Sequence, residues 1–363
     1  MDKRIVFAVA GSGKTYYIAN HFEENKKVLL LSFTNANVEN IRKEVRARFN
    51  GIIPSSIEIM TFDSFVYNHL IRPLEVVSQF NDIVSVGVEL RQPETDPRNY
   101  KTYAKMDSKY HYVTKGNRFY VSRISKFFNK QLNDYKKTAL ARLKKFFDVI
   151  YFDEFQDYTG ESFKLMKYIL EKSETDVIAV GDIYQSNVAP IKKDGKGSSA
   201  PFDKINTVDS LKKKFPKKVN FDDESLVHSR RVPQKVCELI SEKMEIPIQS
   251  CSEMKGNYYW LTDYDEISRV LSSRGIPKLI WSRSTSTEYI NNINTWGNSK
   301  GDTYREACVI LTGVTSDVKQ WSQIDKNSTK NKLYVALTRA TESVYLITAS
   351  TYKEWIENQS ESK

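Results

Sequence analysis

Cysteine is scarce. Cys237, Cys251 and Cys308 are the only three in 363 residues, far apart and without CxxC spacing, which argues against a zinc site and a disulfide framework. Reduced, buried thiols are expected. No run approaches the roughly 18 consecutive apolar residues of a membrane span. The opening MDKRIVFAVAGSGKT passes from a short apolar stretch straight into a Gly-rich turn, with no cleavage-site pattern. An intracellular, cytoplasmic chain with no membrane partner is the expectation. No repeat of fixed period is visible, and 40% hydrophobic with 28% charged residues is ordinary globular composition. The length suggests about two domains.

Acidic residues are the other shortage. Formal net charge is +10, from 55 basic and 45 acidic residues, and this balance suits a polyanionic partner. The imbalance is local: residues 98–145 hold 14 Lys or Arg against Asp107 and Asp134 alone, a charge of +12. Eleven aromatics interleave residues 100–147. Cations hold phosphates while rings stack on bases, a pairing suited to single strands. Ile124, Phe127, Phe128, Leu132 and Tyr135 recur at helical spacing and are expected to face a core, leaving lysines such as Lys126, Lys130, Lys136 and Lys137 outward.

What is present is a rhythm of short apolar runs, RIVFAVA, KVLLLSFT, SIEIMTF, FDVIYFDE and DVIAVGD, each followed by a polar turn and then a helical pattern. Strands separated by helices imply a parallel sheet, with ligands beyond the carboxyl ends of the strands. Residues of about 66–148 interrupt the rhythm as a mostly helical insertion. KKDGKGSSAP reads as a loop, and a second α/β region follows from about 220 with strands at KLIWSRS, EACVILTG and SVYLITAS.

AVAGSGKT, Ala8 to Thr15, follows a strand and precedes a helical pattern. This is the context of a phosphate-binding loop, in which backbone N–H groups of Ala10, Gly11, Ser12 and Gly13 cradle phosphates at a helix start. Lys14 would reach the β and γ phosphates of ATP and Thr15 would ligate Mg²⁺. The first position is Ala8 where the pattern has Gly. Downstream, VIYFDEFQD ends an apolar strand on adjacent carboxylates. Asp153 would share the Mg²⁺, and Glu154 would orient and deprotonate the attacking water. VIAVGDIYQS repeats the design and places Gln185 to sense the γ-phosphate. LYVALTRA sets Arg339 in a helical turn, suited to stabilise charge in phosphoryl transfer.

In order and wording these stretches resemble the UvrD/Rep-like superfamily 1 helicases: AVAGSGKT, LLLSFTNANVENIRKEV, TFDSF, DEFQD and GDIYQS, then SRRVPQKV, SKGDTYREACVIL and YVALTRA. The resemblance spans nearly the whole chain. It implies an α/β fold of two RecA-like P-loop NTPase domains with parallel sheets, residues 1–220 and 221–363, the first carrying the helical insertion. ATP with Mg²⁺ would bind between the domains. Single-stranded DNA would run across their tops, with a duplex junction, RNA and a protein partner subunit left open. By the same resemblance Phe33, Thr34 and Asn35 touch DNA, with Phe33 stacking on a base, and Thr61 and Phe62 contact its backbone. Arg231 becomes a second γ-phosphate arginine, and Arg230 stands where relatives often carry an aromatic that stacks on adenine. The implied direction is 3′ to 5′.

Departures accompany the matches. Only seven residues precede Ala8, without the family's adenine-reading glutamine segment, so nucleotide selectivity stays open. SNVAPIKK after Gln185 lacks the usual DNA-stacking aromatic. KGDTY replaces the common KGLEF. Only 63 residues separate Val236 from Lys300, where larger relatives insert a regulatory domain, so a compact form is expected.

Overall fold

The computed structural model describes residues 1–186, 188, 202, 207–251, 255–282, 284–324 and 327–361. The KKDGKGSSAP segment and most of SNVAPIKK lie outside them. Six parallel strands form the first sheet, in the order Ile57–Thr61, Val28–Ser32, Val149–Asp153, Asp176–Gly181, Lys3–Ala8, Asn220–Leu226. The five interior-rich runs read from the sequence are its first five strands. The four that lie inside the sheet are almost wholly buried because helices cover both faces, whereas Ile57–Thr61 lies at the edge and carries Glu58: buried clusters lie on each side, one built around Leu29, Phe152 and Leu165, the other around Val6, Leu30 and Val180. A second parallel sheet follows, in the order Asn257–Trp260, Ala340–Ile347, Tyr304–Ile310, Lys278–Ile280, Ile293–Thr295. The α/β class with two RecA-like parallel layers is therefore what the chain adopts.

The sixth strand of the first sheet, NFDDESL, is polar and mostly exposed, and hydrophobic patterning gives no hint of it. It is an edge strand, formed because Lys3–Ala8 presents a free ladder to it. A division of the chain at 220/221 would cut this strand from its sheet.

The insertion is helical at its two ends. Helical turns run without break from Phe62 to Val77, and the helices Ile124–Lys130 and Asn133–Phe146 close it. Between them the chain is largely irregular, with one short parallel strand pair, Gly87–Glu89 and Arg118–Tyr120. Pro93 and Pro97 stand in this stretch, and neither can donate to a helix or ladder. Buried Arg123 pins it instead, donating to the carbonyls of His111 at 2.6 Å and Glu94 at 3.0 Å. Of the interleaved aromatics, Tyr112, Phe119, Phe127, Phe128, Tyr135 and Phe147 are core. Tyr100, Tyr110 and Phe146 are the large exposed rings. All three cysteines are free, Cys237 and Cys308 buried. Among the described residues no helix is long and apolar enough to cross a membrane.

His111 is 4% exposed, its Nδ1 donating to the Ala104 carbonyl at 2.8 Å and its Nε2 facing Lys126 Nζ at 3.2 Å. Burial, with Arg123 and Lys126 nearby, pushes its pKa down to about 4. The unfolded chain therefore takes up this proton first, and the stability present above about pH 6.5 is lost as pH falls through that window. Relative to His111→Asn, which keeps a donor for Ala104, the wild type is expected to lose about 2 kcal/mol more between pH 7 and pH 4.5. Urea unfolding at both pH values reads this, and parallel losses in the two proteins would contradict it.

Candidate active site at the seam of the two sheets

Strands Val149–Asp153, Asp176–Gly181 and Lys3–Ala8 are neighbours, so the turns after them meet at one end of the sheet. Those turns carry Asp153 and Glu154, Asp182 and Gln185, and residues 9–13. Gly11 and Gly13 take φ of 75° and 88°, a region where a side chain is costly. At Gly11 there is a second reason: an added Cβ would lie 2.7 Å from both Arg231 Cβ and Ser229 Oγ. The turn thus packs directly on the second layer, and Arg230 N–H donates to the Gly11 carbonyl at 2.9 Å.

Asp153 is buried, and its Oδ2 accepts from Ser32 Oγ at 2.9 Å while its Oδ1 has no hydrogen-bond partner. Burial and the adjacent Glu154 raise its pKa. An unpartnered hard oxygen beside a phosphate-binding turn fits a magnesium ion. Among the described residues no group of three His, Cys, Asp or Glu could hold a metal, so the protein would supply only part of the ligand set. Thr15 stands partly exposed one residue inside the helix Lys14–Asn20.

Glu154 has φ 50° and ψ 49°, left-handed backbone that a non-glycine residue adopts only when its surroundings hold it there. Those surroundings are Lys14 Nζ at 3.8 Å and the Gln156 side-chain amide, which donates to Glu154 Oε2. Burial acts to raise its pKa, yet Lys14, Lys300 and Gln156 together hold it well below the usual carboxylate range. Asp157, the last acid of DEFQD, accepts from Lys300 Nζ at 2.7 and 2.6 Å. Burial raises the Asp157 pKa, while the neighbouring acids keep Lys300 charged.

The two arginines differ. Arg339 lies 1% exposed just past the helix Asn327–Leu337, its donors committed to the carbonyls of Val335 at 2.9 Å, Ser299 at 3.4 Å and Asp302 at 3.3 Å, and to Thr338 Oγ1 at 3.0 Å. Reaching a phosphate would mean exchanging those bonds. Arg231 donates to Thr303 Oγ1 at 3.4 Å, while its buried Nε has no partner. Burial lowers the pKa of both, and each senses Asp182. Arg231 is thus the guanidinium with a donor to give. Gln185 is buried and bonded to Asp182 Oδ2 at 2.8 Å, facing its own turn. Exposed Arg230 lies over the Tyr16 ring at 5.8 Å, beside the turn's mouth.

The track residues divide. Thr34 and Thr61 cap the helices Asn35–Arg48 and Phe62–Phe65, accepting from Asn37 N and Ser64 N. Phe33 is half-buried against Tyr158, with Thr34 and Asn35 exposed beside it. Phe62 stands apart. It is 1% exposed and packed among Phe65, Phe152 and Tyr158, so its side chain belongs to the core and only its main chain is left for a nucleic-acid contact. The apolar pattern of TFDSF permits either placement; burial is decided by the rings it meets across the sheet. Tyr334, Gln156, Lys300 and Ser32 are site residues that sequence reasoning missed. Gln156 sits within DEFQD and Tyr334 within LYVALTRA, so their motifs were the available signal.

Residues 2–189, more than half of the chain, match the AAA domain family. The chain belongs to that family. A small-residue turn between a strand and a helix start, with acids at neighbouring strand ends, accords with membership. No curated protein matches the chain. Among solved structures it is similar to arterivirus nonstructural protein 10, a helicase, in complex with DNA, at 12% identity and TM-score 0.48, over 95% of this chain and 60% of that one. The same arterivirus protein without DNA gives 14% and 0.46 over 95% and 59%. The PRRSV helicase gives 12% and 0.44 over 96% and 52%. The chain thus spans between about half and three fifths of these helicases' length.

Lys300 and Asp157 tie the two layers through a largely buried ion pair. Lys300→Met should cost about 3 kcal/mol by leaving Asp157 uncompensated, and adding Asp157→Leu should recover most of it. Denaturant midpoints of the three proteins check this; a Lys300→Met protein as stable as wild type would refute it.

Proposed function

We propose that the protein is an ATP-driven motor of the UvrD/Rep-like superfamily 1 type that moves along single-stranded DNA, 3′ to 5′, and separates strands. The observation that supports this most is the meeting of Lys14, Asp153, Glu154 and Asp182 from one layer with Arg231, Lys300 and Arg339 from the other. The two layers act as two domains dividing after Leu226, where the first sheet ends.

In this reading the backbone of residues 10–13 and Lys14 bind the triphosphate, with Arg230 and Tyr16 beside the nucleoside. Thr15 and Asp153 would hold Mg²⁺, which offsets charge on the phosphate oxygens. Glu154, kept ionised by Lys14 and Lys300, aligns water and takes its proton. Arg231 meets charge growing on the γ-phosphate, and Arg339 joins by giving up its carbonyl partners when the layers shift. Gln185 reports the state of the site through Asp182. Phe33, Thr34 and Asn35 follow the strand beside the one that ends on Asp153, and Thr61 ends the next strand out, so the path from hydrolysis to DNA grip is short. Lys126, Lys130, Lys136 and Lys137 of the insertion would extend the track, with Tyr100 and Tyr110 as accessible rings.

A second reading has its own support. Val76, Val77, Val84 and Val86 are 74%, 60%, 71% and 65% exposed, and bonds from Ser85 to Glu75 hold their two segments together. Such a patch suits a protein contact. The motor would then serve a partner subunit of a nuclease, repair or defence complex without unwinding alone. Strand displacement on tailed duplexes separates the readings.

The deciding experiment is ATP hydrolysis with and without single-stranded DNA, then with RNA. Stimulated multiple turnover is expected; a single slow turnover per binding event would reduce the protein to a switch. Glu154→Gln should keep ATP binding and lose roughly 10² to 10⁴ in kcat, and wild-type turnover in that variant would remove Glu154 from its role. DNA affinity should fall with salt at roughly 0.7 log units per phosphate contact. Neutralising several of Lys126, Lys130, Lys136 and Lys137 should flatten that slope, whereas an unchanged slope would take the insertion off the track.

A further inference from the structure

A hydrogen-bond chain crosses the seam. Ala10 N–H, in the phosphate-binding turn, donates to Tyr334 Oη at 2.9 Å, and Tyr334 Oη donates to Asp182 Oδ2 at 3.1 Å. Asp182 N–H donates to Gln156 Oε1 at 3.1 Å, and Gln156 Nε2 donates to Glu154 Oε2. Tyr334 belongs to the helix Asn327–Leu337 of the second layer; every other member belongs to the first. Ala10, Tyr334 and Asp182 are 0% exposed and Gln156 is 1%. Water does not substitute for a broken link at such depth, so the loss of one bond leaves its partner unsatisfied.

Two observations make the chain more than packing. Gln156 Oε1 lies close against Gly181, where an added Cβ would stand 2.2 Å from it and 2.7 Å from the Phe155 ring, so only glycine at 181 leaves room for the amide. Glu154, at the far end, occupies left-handed backbone that its partners must maintain. A shift of the second layer moves Tyr334, and Asp182 Oδ2 then loses one of its two side-chain donors and keeps only Gln185 Nε2. The Asp182 backbone amide and the Gln156 amide follow.

We propose that the Tyr334 hydroxyl is a positioning group that couples the state of the phosphate-binding turn to the orientation of Glu154 through Asp182 and Gln156. It acts through Glu154 and needs no contact with the reacting atoms. The proposal rests on the ATP-hydrolysis reading above and adds to it the route by which the second layer controls the base.

The test uses the full chain with Tyr334→Phe, Gln156→Met and both together. Three quantities are read: steady-state kcat and KM for ATP, equilibrium binding of a fluorescent ATP derivative, and deuterium uptake of the peptide holding residues 153–157 with and without a nonhydrolysable ATP analogue. Each single variant should lose about tenfold in kcat with KM and nucleotide affinity within about threefold, as expected for an effect on the chemical step alone. The double variant should be no slower than the slower single one, since both cut one chain. The analogue should slow deuterium uptake at 153–157 in wild type and leave it unchanged in Tyr334→Phe. Wild-type kcat together with a wild-type analogue response in Tyr334→Phe would overturn the proposal, and so would losses that multiply in the double variant. Should Tyr334→Phe fail to fold, Gln156→Met carries the same comparison. A wild-type protein that binds the analogue but never turns over would sink the hydrolysis reading alone, because the deuterium comparison still decides the coupling.

Discussion

Four carboxylates, Asp153, Glu154, Asp157 and Asp182, share one seam from which water is largely excluded. Such a group would force its members to neutralise unless cations met them there. The cations come from both sides: Lys14 from the first layer, Lys300, Arg231 and Arg339 from the second. Burial alone pushes each acid up, and what brings Glu154 back down is first Lys14 and then Lys300. One acid is held ionised while Asp153 beside it is pushed the other way. Pairs of acids driven apart in this manner are how a site obtains groups with different tasks. Remove the second layer and this balance is lost.

The closeness of the layers is built from backbone as much as from charge. Gly11 lies against Ser229 and Arg231 with no room for a methyl group, and its carbonyl accepts from Arg230. Asn331 Nδ2 donates to the carbonyl and hydroxyl of Ser186 at 3.0 Å each. Because this turn also carries the interface, any ligand it takes up would be linked to the interlayer geometry. Any ligand that prefers one spacing of the turn shifts the layers, and conversely.

The insertion shows a different economy. Its helices keep aromatic rings inside and lysines outside, so a segment of charge +12 still has a core continuous with that of the first sheet. Its irregular middle is held by side chains meeting carbonyls, above all Arg123, where prolines forbid regular ladders. The price is a neutral histidine locked among cations, and with it a sensitivity to acid.

Much of the site was legible because its parts are local. A strand, a small-residue turn and a helix start are fixed by neighbours in sequence, so AVAGSGKT and the strand-end acids could be placed before any fold was known. Short apolar runs announced five of the first sheet's six strands for the same reason. Partnership was not legible. NFDDESL becomes a strand only because Lys3–Ala8 has a free edge; Phe62 is core only because Phe65, Phe152 and Tyr158 surround it. Arg339 satisfies its donors at home while Arg231 keeps one open, and Lys300 and Tyr334 enter the site from helices and turns more than 140 residues away from the acids they meet. The sequence by itself determined which groups could do chemistry and on which turns they sit. Only the tertiary structure decided which of them face one another, because burial and pairing depend on chain segments that approach through space and leave no local trace.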